Sequence, residues 1–201
     1  TQLPVEIEHW NQEFKKAYLW TKVPTVTSGT DTTLYLYYDK NKYENIAYVG
    51  YTNSAPAALV WDSNYVFVNH CNSQPQRGVI YDSTAYNNDS TVITVDSNDW
   101  VLTTAGLVYA FNTAANDRVE FGNQSSVQIV SSFTAEALCK NYTPATTATG
   151  RQIFGKGATY ASALVVNRCS WMLEQALTTN KWSFGICNTG VEANVIKVTA
   201  A

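Results

Sequence analysis

Charge is what this chain has least of. Asp, Glu, Lys and Arg make up 14% of its 201 residues, against roughly 25% in ordinary soluble domains. The 13 Lys and Arg form no cluster and the net charge is −3. The basic stripe of a nucleic-acid-binding surface is therefore missing, and nucleic acid is not an expected partner. No apolar run approaches the roughly 18 residues that a spanning helix needs, so membrane insertion is not expected. Thr1 opens the chain with neither a basic nor an apolar leader, which reads as a mature or excised piece rather than an intact secretory precursor. The only histidines, His9 and His70, lack metal-pair spacing, and the cysteines form no Cys-x-x-Cys, so zinc is not expected. No Gly-x-Ser-x-Gly elbow offers a nucleophile. Glycine and proline are scattered, and no flexible linker stands out.

What is present is apolar, aromatic and β-forming. Hydrophobic residues are 45% of the chain, with 13 Tyr and 6 Trp, a mix that suits the pleated faces of strands. Period-two alternation recurs at Ala17–Val23, Leu34–Tyr37, Val66–Asn69, Val92–Asp96 and Phe133–Lys140. Turn residues separate these runs at Ser28–Asp31, Asp39–Asn41, Asp96–Asp99 and Asn188–Gly190. Strands so punctuated predict an all-β sandwich or barrel. Helical periodicity is weak: Glu13–Ala17 reads as a turn, and Tyr43–Tyr51 is ambiguous. Asn72–Gly78 is the best domain boundary, dividing a smaller β domain over residues 1–72 from a β sandwich over 78–201, either separate or packed as one unit.

Several groups invite chemistry, and each has a plainer alternative. Glu6 and Glu8 alternate on a strand, so both carboxylates face one side, as an acid and a nucleophile do in retaining glycosidases. A Glu-x-Asp-x-x-Glu glucanase motif is broken, because Glu stands at position 8 and the next glutamate is absent. Surface carboxylates are the expected reading, and no enzyme activity is expected. Gly150–Gly157 mimics a phosphate loop but has no Ser or Thr for Mg²⁺ and runs into a strand-like segment. Asp82, Asn87 and Asp89 place hard oxygens on one turn. They make a candidate Ca²⁺ set or an Asx-rich turn bonding its own backbone. Cys71, Cys139, Cys169 and Cys187 are an even set, consistent with an oxidising compartment or with buried thiols. Cys169 and Cys187 follow or end strand-like runs, Ala163–Arg168 and Lys181–Ile186, and are expected to pair, leaving Cys71 with Cys139. Asn88, Asn123 and Asn141 head Asn-x-Ser/Thr sequons, glycosylation sites where the host modifies surface proteins. The six Trp are either core or sugar-stacking platforms, with at most one or two expected to be exposed.

Ordered segments carry a resemblance. Val5-Glu6-Ile7-Glu8-His9-Trp10, Leu19–Pro24, Thr33–Tyr38 and Val60–His70 resemble part of an uncharacterised extracellular β domain of microbial and viral surface proteins. Asp39 departs from its usual Gly, and Cys71 from its usual Leu. Asp82–Thr91, Val108–Asn123 and Ser132–Lys140 resemble the opening of a laminin-G-like (concanavalin A-like lectin) domain, with Arg151–Gly157 similar to its next strand. The resemblance implies a concanavalin A-like, jelly-roll β sandwich set outside the cell, on a cell or virion surface. It also implies a non-catalytic structural or adhesive role, with Ca²⁺ and glycans as ligands, or else a carbohydrate-binding module of a polysaccharide-degrading enzyme. Both ends fall short of the resembled domains. Unpaired β edges are therefore expected to be completed by copies of the chain or by other surface subunits.

Overall fold

In a computed structural model the described residues are 1–73, 78–104, 106–111, 117–129, 131–140, 151–157, 169–175, 182–187 and 195–199. The chain divides into two compact units, Thr1–Ile129 and Val130–Ala201. Both are built from strands. Among the described residues, helix is confined to one α turn (α1, Ala55–Ala58) and one 3₁₀ turn (Ser125–Val127), so the fold is all-β as composition and alternation predict.

The first unit is organised around β1 (Val5–Asn11). It forms an antiparallel hairpin with β2 (Lys16–Thr21), while β3 (Val49–Tyr51) runs parallel along its other side. The hairpin turn falls where Glu13–Ala17 was expected to turn. The Phe14 N–H donates to Asn11 Oδ1 at 2.8 Å, and Lys15 takes the left-handed φ of 51° that closes it. In β1, Ile7 pairs with Leu19 and His9 with Tyr18, so Glu8 is an extra, bulged residue. Such a bulge re-aims the side chain it carries. Ser54 caps α1, and this turn presses on β3 so closely that a Cβ at Gly50 would collide with Ser54 and Pro56. Glycine is required at the position that pairs with Glu6. Two ribbons complete the unit: β4 (Val92–Ile93) with β7 (Val119–Glu120), and β5 (Trp100–Thr103) with β6 (Gly106–Tyr109).

The second unit is one antiparallel sheet of β8 (Arg151–Gly157), β9 (Cys169–Gln175), β10 (Trp182–Cys187) and β11 (Val195–Thr199), in the order β11-β10-β9-β8. Phe133 and Phe154 set their rings 5.2 and 5.6 Å from Trp171. Arg151–Gly157 is thus a paired strand, not a phosphate cradle.

Alternation overstated the sheets. Among the described residues, Leu34–Tyr37, Val66–Asn69 and Phe133–Lys140 lie in no ladder, and of Val92–Asp96 only two residues do. Alternation prepares two faces, but a ladder also needs a neighbouring strand. The expected pairing of Cys71 with Cys139 is also not met. Cys71 and Cys139 are free thiols, so the bridge expected between them is not formed. β9, which begins at Cys169, and β10, which ends at Cys187, are antiparallel neighbours, and the side chains of the expected Cys169–Cys187 pair lie outside the described residues. The run Ala163–Arg168 and the sequon at Asn141 lie outside the described residues. Residues on both sides of Asn72–Gly78 lie in the first unit.

The interior of that unit is unusual in its chemistry. Its buried residues include Ala57, Val60, Ile80 and Val95, but also Glu6, Asp82, Ser83, Thr84 and Asn88. Polar groups removed from water destabilise a fold unless each finds a partner. The hydrogen bonds of these five residues therefore decide whether the unit holds.

Candidate functional site

Two buried carboxylates organise the first unit. Glu6, on β1, is enclosed completely. Its Oε1 accepts from the Thr52 hydroxyl at 2.7 Å and the Ser83 hydroxyl at 2.6 Å. Its Oε2 accepts from the Trp61 indole N–H at 2.6 Å and lies 3.2 Å from His70 Nε2. A carboxylate has about four lone-pair sites, and all four are used. Expected as a surface group, Glu6 is instead the centre of a network joining four separate stretches of chain.

The bulge turns Glu8 toward the same histidine. His70 Nδ1 is 3.6 Å from Glu8 Oε2, so one ring lies between two carboxylates. Glu8 Oε2 also accepts from the Trp20 indole N–H at 2.6 Å, and Trp20 stacks on His70 with ring centroids 5.3 Å apart. Asn72 ties the arrangement to β1 by donating to the Glu8 carbonyl at 2.8 Å and to the Thr52 hydroxyl at 2.9 Å.

Burial alone would raise the Glu6 carboxyl. The hydrogen bond and charge of His70, with the bonds from Ser83 and Trp61, outweigh it and hold the group below its ordinary value of 4.5. A glycosidase acid requires the opposite shift. The depressed value has a consequence for stability. A group with a lower pKa folded than unfolded contributes stability above the unfolded pKa, and that contribution drains away as pH falls through the folded one. Urea midpoints are therefore expected to hold from neutral pH down to about the ordinary carboxylate range and to fall below it. The gap between wild type and Glu6→Gln should close over the same acid range. A gap that stays constant to the acid limit would assign the acid loss to other carboxylates.

Asp82 is the second centre. Its Oδ1 accepts from the backbone N–H groups of Val68 and Thr84, both at 3.0 Å. Its Oδ2 accepts from the Thr84 hydroxyl at 2.8 Å and the Asn88 N–H at 2.9 Å. The Asp82 N–H donates to Asp89 Oδ1 at 2.9 Å. The three residues of the expected Ca²⁺ set thus occupy one turn, but with Asp82 directed into the protein and Asn87 exposed at a left-handed φ of 50°. Among the described residues, no group of three or more His, Cys, Asp or Glu side chains gathers as a metal site. Asn88 is wholly buried, its amide donating to the Val66 carbonyl at 2.6 Å and its Oδ1 accepting from the Ser126 hydroxyl at 2.8 Å. A glycan cannot be attached there in the folded chain, which corrects that expectation, whereas Asn123 is exposed. Ser83 joins the two centres, sitting beside Asp82 in sequence while its hydroxyl reaches Glu6.

Around the network the aromatic residues divide. Of the six Trp, Trp10 and Trp20 are exposed, and Trp61 lies 5.4 Å from Trp20 and 5.1 Å from the exposed Tyr65. Cys71, next to His70, is kept as a neutral thiol. Burial, with the nearby charge of Glu8, outweighs the hydrogen bond from Tyr109 and pushes it up to about 11, far from the lowered values of reactive cysteines.

Four of the segments that carried the resemblance meet here: Glu6 comes from Val5–Trp10, Trp20 from Leu19–Pro24, Trp61 and His70 from Val60–His70, and Ser83 from Asp82–Thr91. No signal in the sequence marks Thr52 or Asn72 as members. No curated protein and no solved structure matches the chain. The model of one family, described as a domain of unknown function (DUF2341), matches residues 1–120, a stretch that contains both carboxylate centres and every partner named for them except Ser126. This chain belongs to the DUF2341 family.

Proposed function

We propose that this chain is a non-catalytic extracellular module, displayed on a cell or virion surface as a structural or adhesive subunit of an assembly. The observation that carries this reading is the stretch Thr33–Tyr38. It is uncharged, built of β-forming residues and exposed on both alternating sides, with Leu36 at 65% and Tyr37 at 87% of full exposure. Among the described residues it joins no ladder. A strand with free backbone donors and acceptors is completed by another strand, and a neighbouring subunit can supply one. Light scattering at micromolar concentration is expected to find at least twice the monomer mass. A monomer at those concentrations overturns the assembly reading.

The non-catalytic part is supported by Glu6, whose oxygens are all engaged and whose carboxyl is held ionised. No hydrolysis of mixed β-glucans is expected, and hydrolysis lost on Glu8→Gln would contradict it. The finer architecture proposed is a concanavalin A-like, jelly-roll sandwich. Calcium belongs to the same reading through the Asp82–Asp89 turn. A rise in melting temperature between chelator and millimolar Ca²⁺ supports it, and an unchanged melt removes it.

One observation favours a second reading, a carbohydrate-binding module of a secreted polysaccharide-degrading enzyme. Trp20, Trp61 and Tyr65 form an aromatic group, and Glu8 and Glu6 fix the two indoles through their N–H groups before any ligand arrives. Sugars stack on such preset faces. A glycan array separates the readings: signal lost on both Trp20→Ala and Tyr65→Ala favours the module.

A further inference from the structure

The stretch Thr33–Tyr38 has the properties of a strand that pairs with its own copy. Its rings at Tyr35 and Tyr37 stand 6.5 Å apart, the spacing of same-face neighbours two residues apart on a strand, about 6.6 Å. One side then carries Leu34, Leu36 and Tyr38 and the other Thr33, Tyr35 and Tyr37, all large side chains of both sets being more than half exposed. Segments of this length with high β-propensity, no charge, no Pro and no Gly are the ones that self-associate.

The flanking charges select how. Asp31 precedes the stretch and Asp39, Lys40 and Lys42 follow it. A parallel in-register pair sets Asp31 against Asp31 and Asp39 against Asp39, which is unfavourable for directly opposed like charges. An antiparallel pair centred on Leu36 sets Asp39 against Thr33 and brings Asp31 of one copy toward the Lys40 and Lys42 turn of the other. The same register matches the faces. Tyr35 opposes Tyr37 twice on one side, giving two cross-strand aromatic pairs, while Leu36 opposes Leu36 and Leu34 opposes Tyr38 on the other. Displacing the register by one residue breaks the Leu36 pair: with Leu36 against Tyr35 no Tyr–Tyr pair is left, and with Leu36 against Tyr37 the Tyr35–Tyr38 pairs remain but the Asp39 charge is set against Leu34.

We infer that two copies of this chain associate through Thr33–Tyr38 as an antiparallel strand pair whose two-fold axis passes through Leu36. The inference rests on the assembly reading above and names its edge, partner and register. A two-fold contact is self-complementary, so each residue of the stretch meets a defined partner in the other copy.

The axis makes a direct test possible, because residue 36 meets itself. The full chain is prepared as wild type, Leu36→Lys and Leu36→Glu, and self-association is measured by sedimentation at micromolar concentration. Each variant alone opposes like charges at the axis and is expected to weaken association by roughly a hundredfold. An equimolar mixture of the two is expected to restore a mixed pair. The position is 65% exposed in the single chain, so each variant keeps its fold, and unchanged far-UV circular dichroism is the check. Monomeric wild type overturns the assembly reading and this inference together. Wild-type association that survives both variants overturns the inference alone, since another surface is then in use. Two weakened variants that do not recover on mixing overturn the register, since residue 36 then does not meet itself.

Discussion

Glu6→Ala is expected to cost the first unit about 3–5 kcal/mol, the range for removing one partner from a buried charged network. Total stabilities of domains are roughly 5–15 kcal/mol, so this loss leaves the unit at or near unfolding. The cost comes from what stays behind. With the carboxylate gone, the Thr52 and Ser83 hydroxyls, the Trp61 indole N–H and His70 are left without the acceptor that they share. Each such orphan carries roughly 1–3 kcal/mol of desolvation. Glu6→Gln keeps the shape and one oxygen, but its amide nitrogen then faces donors, so an intermediate loss is expected. Glu8→Ala should cost about 1 kcal/mol, because that carboxylate is less enclosed and gives up one short bond, to Trp20. Urea titration followed by tryptophan fluorescence reads all three, since Trp20 and Trp61 border the network. A loss under about 1 kcal/mol for Glu6→Ala would show that water fills the gap and that the network is not what holds the unit.

Asp82→Ala is expected to be the second large loss, about 3 kcal/mol, for a related reason with a different target. Three backbone N–H groups and the Thr84 hydroxyl depend on this carboxylate. Backbone donors in an irregular stretch cannot turn to another partner without moving the chain. The Val68 and Asn88 segments are therefore expected to separate, along with the Asn88 bonds to Val66 and Ser126. Asp82→Asn retains one acceptor oxygen but sets an amide against donors, and about 2 kcal/mol is expected. Hydrogen exchange at the Thr84 and Asn88 amides localises the effect. If those amides exchange no faster in Asp82→Ala, the turn is held by its surroundings rather than by the carboxylate.

These two centres differ in how much of them can be read from sequence. The Asp82–Asp89 stretch is dense in Asx and hydroxyl residues, and a turn that bonds its own backbone was among its readings. Such contacts are local, and spacing along the chain limits them. Glu6 was read as a surface carboxylate, because a strand seen alone offers its charged residues to water. Its donors come from residues 46 to 77 positions away, and no local pattern encodes a meeting at that range. The bulge at Glu8 was equally hidden. Strict alternation already placed Glu6 and Glu8 on one side, but it takes the β1–β2 register to show Glu8 as the extra residue.

The sequence by itself determined the fold class and the turns at Ser28–Asp31, Asp39–Asn41 and Asp96–Asp99, while the turn expected at Asn188–Gly190 lies outside the described residues. Those follow from side-chain type at period two and from residues that bend the backbone, both of which are properties of a few neighbouring positions. Tertiary structure decided which alternating runs became ladders, because a ladder needs a second strand at hydrogen-bonding distance. Thr33–Tyr38 has every local qualification and, among the described residues, no such neighbour. Tertiary structure also decided that Glu6 and Asp82 are enclosed and that Asn88 is unavailable to a glycan. Burial of a charge is tolerated only where distant donors converge on it, and that convergence exists only once the chain is folded.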